Sequence, residues 1–586
     1  MANKVGGIYT VLVSKMSYAL ENVKNYFAIG PYYQKSASSE FKEESPPENL
    51  AKVFSELERK YGIVCHYGRW LIEKSPRAIL VDPARFREKI NEVKGSMWQD
   101  FGIDSWGTDD WYNEPVMWSK CTGLLIQEIA ESGAFGNRVV AHFHEWLSGA
   151  GLLHLKSQKI KIPTVFTTHS TVLGRAIAES GQENLNEMIN RGLESGQVVG
   201  NDKVYQYYTQ AKHLTEKATA LNATVFTTVS DIMARECRFI LGRKPDVVLP
   251  NGLDMNKFPA PNELARMHIT NGDRIRNFLL GYFLPYYDVD FDDSIICFIS
   301  GRFEFHNKGV DIFIDALGEL NEKLKKAKQK KNVVAFIFIP AETHGKKPTV
   351  VEHLELFAKV EKAIEDETGK IEKRVLKSFI KGELPRDMGA FDSEFLQSLK
   401  ALGERLKSMA GKLPPVTPFV LHGENSITKA LADNGLMNRA QDRVKIIYYP
   451  AYLSEKDGML AMNYYSAVSG FDVGVFPSYY ESWGYTPLEA AALGLHSVTT
   501  DLSGYGQFIR KHLKNGEMSI MVLHRDKKDD SDAARELEKL LYRIYCMSSE
   551  ERAKSVGRAK ELSMLADWSH LFENYIKAYG MAVSVK

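Results

Sequence analysis

Cysteine is scarce in this chain of 586 residues, which contains five, and no two of them form a CxxC pair. This scattering argues against a disulfide framework and against a zinc ribbon. An excess of charge of one sign is also missing, because 75 Lys and Arg residues balance 74 Asp and Glu residues to leave a net charge of +1. The balance argues against a protein that binds nucleic acid through bulk electrostatics.

Long apolar runs are absent as well. No run in the sequence approaches the roughly 20 residues that a membrane span needs, and no signal peptide opens the chain. We therefore expect no membrane association and a location in the reducing cytoplasm. The composition is that of an ordinary folded protein, with 44% hydrophobic and 25% charged residues.

What the chain does contain is a series of short apolar, β-branched runs. They lie at residues 138–143, 163–168, 224–230, 294–301, 332–340, 444–449 and 472–477. Consecutive apolar positions of this kind predict strands that are buried on both faces of a parallel sheet. Helical patterns lie between the runs, for example at residues 309–328. The alternation predicts an α/β architecture with doubly wound sheets.

Two features divide the chain. The turn at residues 250–252 is a candidate hinge between two halves. The segment 343–445 breaks the strand-helix alternation, because it is rich in charge and carries helical patterns at 353–381 and 393–407. It is either an inserted helical contact between subunits or a solvated helical hairpin. A terminal amphipathic helix is predicted at residues 568–579.

Ligands of doubly wound sheets bind outside the carboxyl ends of the strands, so the loops that follow the apolar runs are candidate sites. Arg302 and Lys308 bracket one such loop. They could converge on one diphosphate, the arginine as a bidentate fork and the lysine as a point charge. Two fixed cations suit an enzyme that stabilises a departing nucleotide diphosphate without a metal. The alternative is a pair of solvated surface charges.

Histidines follow two other runs. His169 ends the run at 163–168, and Arg175 reaches the same crevice if a helix starts between them. A lone histidine in such a place is more often structural than catalytic. His142 and His144 alternate along a predicted strand, but a metal site would need a third ligand. A structural or sugar-contacting role is favoured for both.

The loop after the last run is flanked by two carboxylates. Glu481 precedes Trp483 and Gly484, and Glu489 follows Pro487, which suits the first turn of a helix. The free N–H groups of that helix would face a bound ligand. The two carboxylates could bind hydroxyls of a sugar and a ribose. A helix-capping role for Glu489 is the alternative, but it leaves Glu481 and Trp483 unexplained.

A glycine pair stands at the start of the chain. Gly6 and Gly7 would let the backbone approach an anionic ligand, and the residues after them have a helical pattern. An ordinary turn is the alternative. The strand that should precede such a loop is expected to be missing.

Taken together, these residues resemble the eukaryotic-type glycogen synthases, which are retaining, UDP-glucose-using transferases of glycosyltransferase family 3. The stretches that carry the resemblance are residues 3–9, 67–73, 141–146, 166–169, 249–253 and 479–487. The resemblance implies an α/β fold of two Rossmann-like doubly wound domains that face a cleft, the GT-B type. Residues 1–252 would form the first domain, apparently without its first strand. Residues 253–566 would form the nucleotide-sugar-binding domain with its helical insertion at about 343–445, and residues 567–586 a helix that crosses back.

The resemblance also implies roles for single residues. The residues implied at the catalytic centre are His169, Arg175, Arg302, Lys308 and Glu481. The residues implied to bind UDP or UDP-glucose are Lys4, Gly6, Gly7, Tyr464, Trp483, Gly484, Thr486 and Glu489, with Tyr464 stacked on the uracil ring. We take Glu481 as a positioning residue, since its place in the sequence cannot choose between front-face attack and a covalent intermediate.

The chain departs from the family where glucose 6-phosphate would be sensed. Glu263, His268, Arg552 and Arg558 match the family pattern. Glu550, Glu551 and Val556 stand where further arginines are expected, and Asn262, Ala265 and Asp472 also differ. A dianionic phosphate needs several fixed donors. We therefore expect weak or no activation by glucose 6-phosphate. Ser482 stands where the family usually has a proline. The phosphorylatable tail of the animal and yeast enzymes is expected to be absent.

The resemblance implies a cytoplasmic enzyme that elongates glycogen, adding glucose from UDP-glucose to the non-reducing end of an α-1,4-glucan without a metal or other cofactor. Its partners would be the glucan acceptor and a glycogenin-type primer protein, and the enzyme would be a homo-oligomer, a tetramer by resemblance. One alternative is another nucleotide-sugar glucosyltransferase of the same fold. Another is a non-catalytic glucan-binding homologue. A phosphorylase is disfavoured, because no matching cofactor-lysine motif is found.

Overall fold

A computed structural model describes residues 7–136, 138–382, 393–409, 411 and 413–585. The strands are β1 (Ala28–Pro31), β2 (Phe41–Glu43), β3 (Val64–Trp70), β4 (Arg77–Asp82), β5 (Ala141–His144), β6 (Thr164–Thr168), β7 (Val225–Thr228), β8 (Val247–Val248), β9 (Ile295–Ser300), β10 (Val333–Phe338), β11 (Thr343–Lys346), β12 (Phe419–Leu421), β13 (Val444–Tyr448), β14 (Val473–Val475), β15 (His496–Thr500) and β16 (Ile520–Leu523).

The α-helices connect these strands. They are α1 (Gly7–Ser14), α2 (Met16–Asn22), α3 (Gln34–Glu40), α4 (Glu48–Tyr61), α5 (Ile90–Phe101), α6 (Asp110–Ser132), α7 (Gly149–Ser157), α8 (Val172–Ser180), α9 (Leu185–Ser195), α10 (Asn201–Gln206), α11 (Gln210–Asn222), α12 (Asp231–Ile240), α13 (Pro261–Phe283), α14 (Val310–Lys326), α15 (Pro348–Ile380), α16 (Ser393–Met409), α17 (Ser426–Asp433), α18 (Tyr464–Ser469), α19 (Tyr485–Ala492), α20 (Gly504–Arg510), α21 (Asp530–Cys546), α22 (Ser549–Ser563) and α23 (Trp568–Ser584). Among the described residues, no helix is both long enough and apolar enough to span a bilayer.

The first half of the chain forms two four-stranded sheets. One is parallel throughout, in the order β5-β6-β7-β8. It contains the runs predicted at 138–143, 163–168 and 224–230, and every residue of β6 is buried. The other sheet has the order β1-β4-β3-β2, with β3 antiparallel to both of its neighbours. The sequence reasoning did not predict this second sheet.

The second half contains a six-stranded parallel sheet in the order β13-β10-β9-β14-β15-β16. Alternate side chains of β9 enter two separate cores. Ile295, Cys297 and Ile299 pack against α14 and α21 on one face. Ile296 and Phe298 pack against α13 and α18 on the other. This burial on both faces explains the continuous apolar run, and it confirms the predicted doubly wound sheet.

Residues 343–421 interrupt the alternation of the second half. β11 and β12 pair antiparallel, and α15 and α16 lie between them in the sequence. α15 packs on α13 and α16 packs on α15. The helices predicted at 353–381 and 393–407 are confirmed, apart from a start of α15 five residues earlier.

The last helix returns to the first half of the chain, where α23 packs on β6, β7, β8 and α2. The chain crosses between its two halves twice, near Leu253 and near Trp568, and the two crossing segments lie side by side. The Leu253 N–H donates to the Ala566 carbonyl (3.0 Å), and the Trp568 N–H donates to the Leu253 carbonyl (3.1 Å). The Trp568 indole is fully buried and donates to Ser14 Oγ (2.9 Å).

Candidate functional site

The loop between β9 and α14 carries the two predicted cations. Lys308 forms an ion pair with Glu481, which belongs to the loop after β14. The Lys308 side chain is 17% exposed, so this pair is largely shielded from solvent. Arg302 is more open and forms an ion pair with Glu304 (2.8 Å). The structure thus brings Lys308 and Glu481 together from two neighbouring strands.

The loop after β14 is fastened to both halves of the chain. The N–H groups of Tyr479 and Tyr480 donate to the Asn307 carbonyl (2.9 and 3.3 Å), which precedes Lys308. The Ser482 carbonyl accepts from Ser230 Oγ (2.7 Å), at the start of α12 in the first half. The loop is therefore held between the carboxyl ends of the two parallel sheets, where ligands of such sheets bind.

Trp483, Gly484 and Thr486 continue this loop into α19. Trp483 is buried, and Gly484 is the N-cap of α19. Thr486 lies in the first turn of that helix, followed by Pro487 as expected. The N-terminal N–H groups of α19 thus lie directly beside the Glu481 loop.

His169 and Arg175 lie at the carboxyl end of β6, and α8 begins between them as predicted. His169 Nε2 lies 3.1 Å from His144 Nδ1. Burial and, to a smaller extent, the nearby Lys15 ammonium lower the pKa of His169 to about 3, so the ring is neutral at physiological pH. The Arg175 guanidinium donates to Ser170 Oγ (2.8 Å).

Arg175 is in electrostatic contact with both loops of the second half. Burial lowers the pKa of its guanidinium, but Tyr480, Glu145, Glu304 and Glu481 raise it, and the balance lies above the ordinary value. Arg175 in the first half of the chain therefore lies within electrostatic range of Glu481, the carboxylate that pairs with Lys308 in the second half.

His142 and His144 have partners within the protein. His142 contacts the Tyr579 hydroxyl (3.0 Å) and Thr167 Oγ1 (2.7 Å), and its ring stacks on His144 at 4.2 Å. Burial and Lys15 hold the pKa of both imidazoles well below the usual value. In the described part of the chain, the one side-chain group with ligand atoms close enough to share an ion is His306, Asp311 and Asp530. Neither histidine belongs to it.

Tyr464 and Glu489 lie close together near the carboxyl end of β9. The Tyr464 hydroxyl is 3.0 Å from Ser300 Oγ, the last residue of that strand. Glu489 accepts a hydrogen bond from the Tyr465 hydroxyl (2.9 Å). Burial raises the pKa of Glu489 to about 7. Burial, and after it the Glu489 carboxylate, raises the pKa of Tyr464. A ring and a carboxylate are thus available together at this strand end.

Of the predicted donor-binding residues at the start of the chain, Lys4 and Gly6 lie outside the described residues. Gly7 is the first residue of α1, so the predicted helix after the glycine pair is present.

The arginines of the possible glucose 6-phosphate site are bound within the protein. Arg558 forms ion pairs with Glu517 (3.4 Å) and Glu561 (3.0 Å). Arg552 donates to the Met547 carbonyl (2.9 Å). Both guanidinium groups already bind groups of the protein, so an incoming phosphate would have to compete with these partners.

The other two residues of that possible site belong to α13. His268 Nδ1 lies 3.1 Å from the Ser469 carbonyl, and its Nε2 lies 3.9 Å from Asp472. Glu263 is exposed in the first turn of the same helix.

Three buried glutamates around the β6–α8 loop were not given a role by the sequence reasoning. Glu145 Oε1 accepts from the N–H groups of His169 and Ser170 (2.8 and 3.4 Å). Glu236 accepts from the N–H of Thr171 (3.3 Å). Glu216 similarly accepts from the N–H of Val172 (2.9 Å). Four consecutive amide groups therefore bind buried carboxylates, and this fixes the path of the loop that carries His169.

Burial is the main cause of the altered pKa of these carboxyls. It raises the pKa of Glu145 and of Glu236 to about 7, and that of Glu216 well above the ordinary value. A signal for one of them exists in the sequence. On α12, Glu236 shares the buried face with Met233 and Ile240, so the helical period places a carboxylate among apolar side chains.

The chain is similar to known proteins along its whole length. The family model described as glycogen synthase matches residues 1–586. The chain is 34% identical over 588 residues to the liver glycogen [starch] synthase of Rattus norvegicus, covering 100% of this chain and 82% of that protein. It is also 34% identical over 593 residues to the glycogen [starch] synthase of Neurospora crassa, again covering 100% and 82%.

A solved structure confirms the fold. The catalytic domain of starch synthase IV from Arabidopsis thaliana bound to ADP and acarbose superposes with a TM-score of 0.52 and 13% identity, over 99% of this chain and 97% of that chain. The predicted α/β architecture of two Rossmann-like halves is thus correct. A family match along the whole chain, together with this fold, identifies a glycosyltransferase, and the chain belongs to the glycogen synthase family.

Proposed function

We propose that this chain transfers glucose from UDP-glucose to the non-reducing end of an α-1,4-glucan with retention of configuration. The observation that carries the proposal is the meeting of Lys308, Glu481 and Arg175 in one cleft. They come from two different sheets and leave a cation on each side of a carboxylate. A sugar diphosphate between the sheets would meet both cations.

In the proposed mechanism, Lys308 and Arg302 stabilise the negative charge that develops on the departing UDP. Cations held in place before the reaction stabilise such charge without reorganising during it. They also supply the charge that a divalent metal provides in other transferases. We therefore propose that the reaction needs no metal ion.

The glucose would lie between Glu481 and His169. The Glu481 carboxylate accepts hydrogen bonds from sugar hydroxyls. The neutral imidazole of His169 can donate or accept one. Trp483 and Gly484 close the floor of this subsite, since the indole is buried behind the loop. These roles position the anomeric carbon and do not require Glu481 to form a bond to it.

The nucleoside would occupy the carboxyl end of β9. Tyr464 offers a ring for stacking on the uracil, and the Glu489 carboxylate offers an acceptor for the ribose hydroxyls. Thr486 and the N-terminal N–H groups of α19 would bind phosphate oxygens, as would Gly7 at the start of α1.

We also propose a cytoplasmic location, a glycogenin-type primer protein as a partner, and a homo-oligomeric state. The oligomeric state is supported by apolar side chains near the end of α15. Phe379 and Ile380 are 80% and 81% exposed, which is unusual for neighbouring large apolar residues.

A donor comparison tests the activity. The protein is incubated with radiolabelled UDP-glucose or ADP-glucose in the presence of glycogen, and label is counted in precipitated glucan. We expect label in glucan from UDP-glucose, released as glucose by an enzyme specific for α-1,4 linkages. Label in a soluble disaccharide would support the alternative glucosyltransferase instead. Absence of transfer with either donor would support a non-catalytic glucan-binding protein.

A chelator tests the metal requirement separately. Added EDTA should leave the initial rate unchanged, because the cations are side chains. A rate that EDTA abolishes and that Mg²⁺ or Mn²⁺ restores would contradict the proposed roles of Lys308 and Arg302.

A further inference from the structure

One hydrogen bond joins the two halves of the chain next to the Lys308–Glu481 pair. The Tyr480 hydroxyl donates to Glu236 Oε1 (2.9 Å), although the two residues are 244 positions apart. The Glu236 carboxylate lies on α12 in the first half, and Tyr480 immediately precedes Glu481. The Glu236 side chain is buried and that of Tyr480 is half-buried, and the mechanism proposed above uses neither.

On the first-half side, Glu236 leads directly to the helix that carries Arg175. Its Oε1 also accepts from the Thr171 hydroxyl (2.6 Å) and from the Thr171 N–H (3.3 Å). Thr171 is the N-cap of α8, because its Oγ1 accepts from the Gly174 N–H (3.0 Å). One carboxylate oxygen thus fixes the start of α8, one turn before Arg175.

The approach of Glu236 to α8 is close. A Cβ atom added to Gly174 would lie 2.4 Å from Glu236 Oε1 and 2.6 Å from Thr171 Oγ1. The helix can therefore come this near to the carboxylate only because residue 174 is glycine. A side chain here would require the Glu236 carboxylate or the start of α8 to move.

On the second-half side, Tyr480 leads to the loop that carries Lys308. Its N–H donates to the Asn307 carbonyl (3.3 Å), and that of Tyr479 does the same (2.9 Å). An unbroken chain of contacts therefore runs from the start of α8 through Glu236 and Tyr480 to Lys308. Arg175 and Lys308, the cations on the two sides of the cleft, stand at its two ends.

We propose that Glu236 and Tyr480 are positioning residues, whose hydrogen bond sets the α8 helix in register with the loop that carries Glu481. When the bond forms, Arg175 and Lys308 face the same point between the sheets. When it is absent, each half keeps its own cation, but the two are not aligned. This inference rests on the proposed function, since it concerns how the same donor site is assembled.

Steady-state kinetics with UDP-glucose and glycogen test this role. Tyr480→Phe removes the hydroxyl and keeps the ring, and we expect kcat to fall roughly tenfold to a hundredfold, the range for a buried hydrogen bond to a carboxylate. KM for UDP-glucose should change by less than about threefold, because the donor contacts themselves remain. Glu236→Ala should lower kcat at least as far, because it loses the same bond and also both bonds from Thr171. Glu236→Gln keeps an oxygen acceptor and should restore kcat to within about threefold of the unaltered protein.

Two further variants make the test specific. Tyr479→Phe loses a hydrogen bond that also crosses the cleft, to Asn184 Oδ1 (3.3 Å), but does not reach α8. We expect its kcat to stay within about twofold. The double variant Tyr480→Phe with Glu236→Ala should be no slower than Glu236→Ala alone, since that variant has already lost the contact with Tyr480. A wild-type kcat in Tyr480→Phe, an equal loss in Tyr479→Phe, or additive effects in the double variant would overturn the proposal.

Amide hydrogen exchange gives a readout that is independent of turnover. With saturating UDP, the Tyr480→Phe variant should exchange faster than the unaltered protein in residues 169–175 and in residues 479–482. Equal exchange in both segments would overturn the proposed link. If the unaltered protein transfers no glucose, the proposed function fails, while the exchange measured with UDP still decides whether the two loops are coupled.

Discussion

Lys15 illustrates how a single buried charge shapes the cleft of this protein. Its side chain is fully buried, and among the described residues its Nζ has no hydrogen-bond partner. The ammonium lies 4.3 Å from the centre of the Tyr575 ring, which compensates in part for the lost water. Burial lowers the pKa of Lys15 to about 7. The same charge lowers the pKa of the neighbouring His169.

This arrangement predicts that Lys15→Met stabilises the protein in a pH-dependent way. The amine titrates near 10.5 when exposed, so between about pH 7 and 10.5 the unfolded chain binds more protons than the folded one, and stability rises with pH. The cost of the buried charge is greatest below pH 7. The gain from methionine should therefore be largest near pH 6 and shrink by up to about 1.4 kcal/mol per pH unit above pH 7.

Urea unfolding of both proteins at about pH 6 and about pH 9 measures this effect. Lys52→Met is the control, because Lys52 is exposed and pairs with Glu48 on the same helix. Its effect should be small and independent of pH. A gain for Lys15→Met that is equal at both pH values would contradict the assigned pKa.

At the same scale, replacing either loop cation by alanine should lower turnover strongly. We expect kcat to fall by roughly a hundredfold to a thousandfold for Lys308→Ala and for Arg302→Ala, because each removes a fixed charge partner of the leaving phosphate. Initial rates at saturating UDP-glucose and glycogen measure the loss. Lys326→Ala, on the helix that follows the loop, removes an exposed charge and should leave kcat within about twofold. Full turnover in either cation variant would show that the phosphate assignment is wrong.

At the scale of elements, the connection from β9 to α14 depends on Gly309. Its φ of 68° lies in the left-handed region, and an added Cβ would lie 2.0 Å from the Pro477 carbonyl oxygen after β14. Any residue with a Cβ atom at this position would therefore require one of the two loops to move. The Lys308–Glu481 pair lies directly beside this contact.

We therefore expect Gly309→Ala to lower both stability and turnover. The strained φ alone costs about 1–3 kcal/mol, and the clash should displace Lys308 and reduce kcat at least tenfold, a rough minimum for a misplaced catalytic charge. Thermal unfolding and steady-state rates measure the two effects. Gly369→Ala is the matched control, because that glycine lies inside α15 with no atom within 4 Å of an added Cβ. It should leave kcat unchanged and stabilise the helix slightly.

Seven of the ten strands of the two parallel sheets were predicted, because both of their faces are buried. Every residue of β9 and β10 is buried, and β10 is apolar throughout, so the signal is visible without the structure. β8, β15 and β16 were not predicted; β8 spans only two residues, and β15 is mostly polar in sequence. The sheet of β1 to β4 gives no such signal. In β3 buried positions are mixed with half-exposed ones, and β2 spans only Phe41–Glu43. These short strands are fixed by their partners and not by their own composition.

The site was predictable to the extent that it follows strand ends. Lys308, Glu481 and Arg175 lie in loops that the sheet order brings together. Glu216 and Glu236 act on the same loop from helices 44 and 65 residues further along the chain. Their hydrogen bonds to this loop depend on tertiary packing; the helical spacing of Glu236 indicates only that its carboxylate is buried.

For the molecule as a whole, we expect little response to glucose 6-phosphate. Arg558 is occupied by Glu517 and Glu561, and an incoming phosphate would have to displace both carboxylates. The initial rate should rise less than about twofold at millimolar glucose 6-phosphate. A small effect is expected because the phosphate must compete with ion pairs that Arg558 already makes. Arg558→Ala should leave that response unchanged. A several-fold activation that Arg558→Ala abolishes would refute this prediction.

The paired passages of the chain have a consequence for the integrity of the molecule. The backbone around Leu253 and the backbone around Trp568 both tie the two halves together, and the Asp567 carboxylate accepts from the Met255 N–H (2.9 Å). A protease that nicks the first passage would therefore not release a fragment. The uncut segment near Trp568, together with the buried face of α23 packed on the first sheet, would hold the two fragments together. They should elute as one species on gel filtration until denaturant is added.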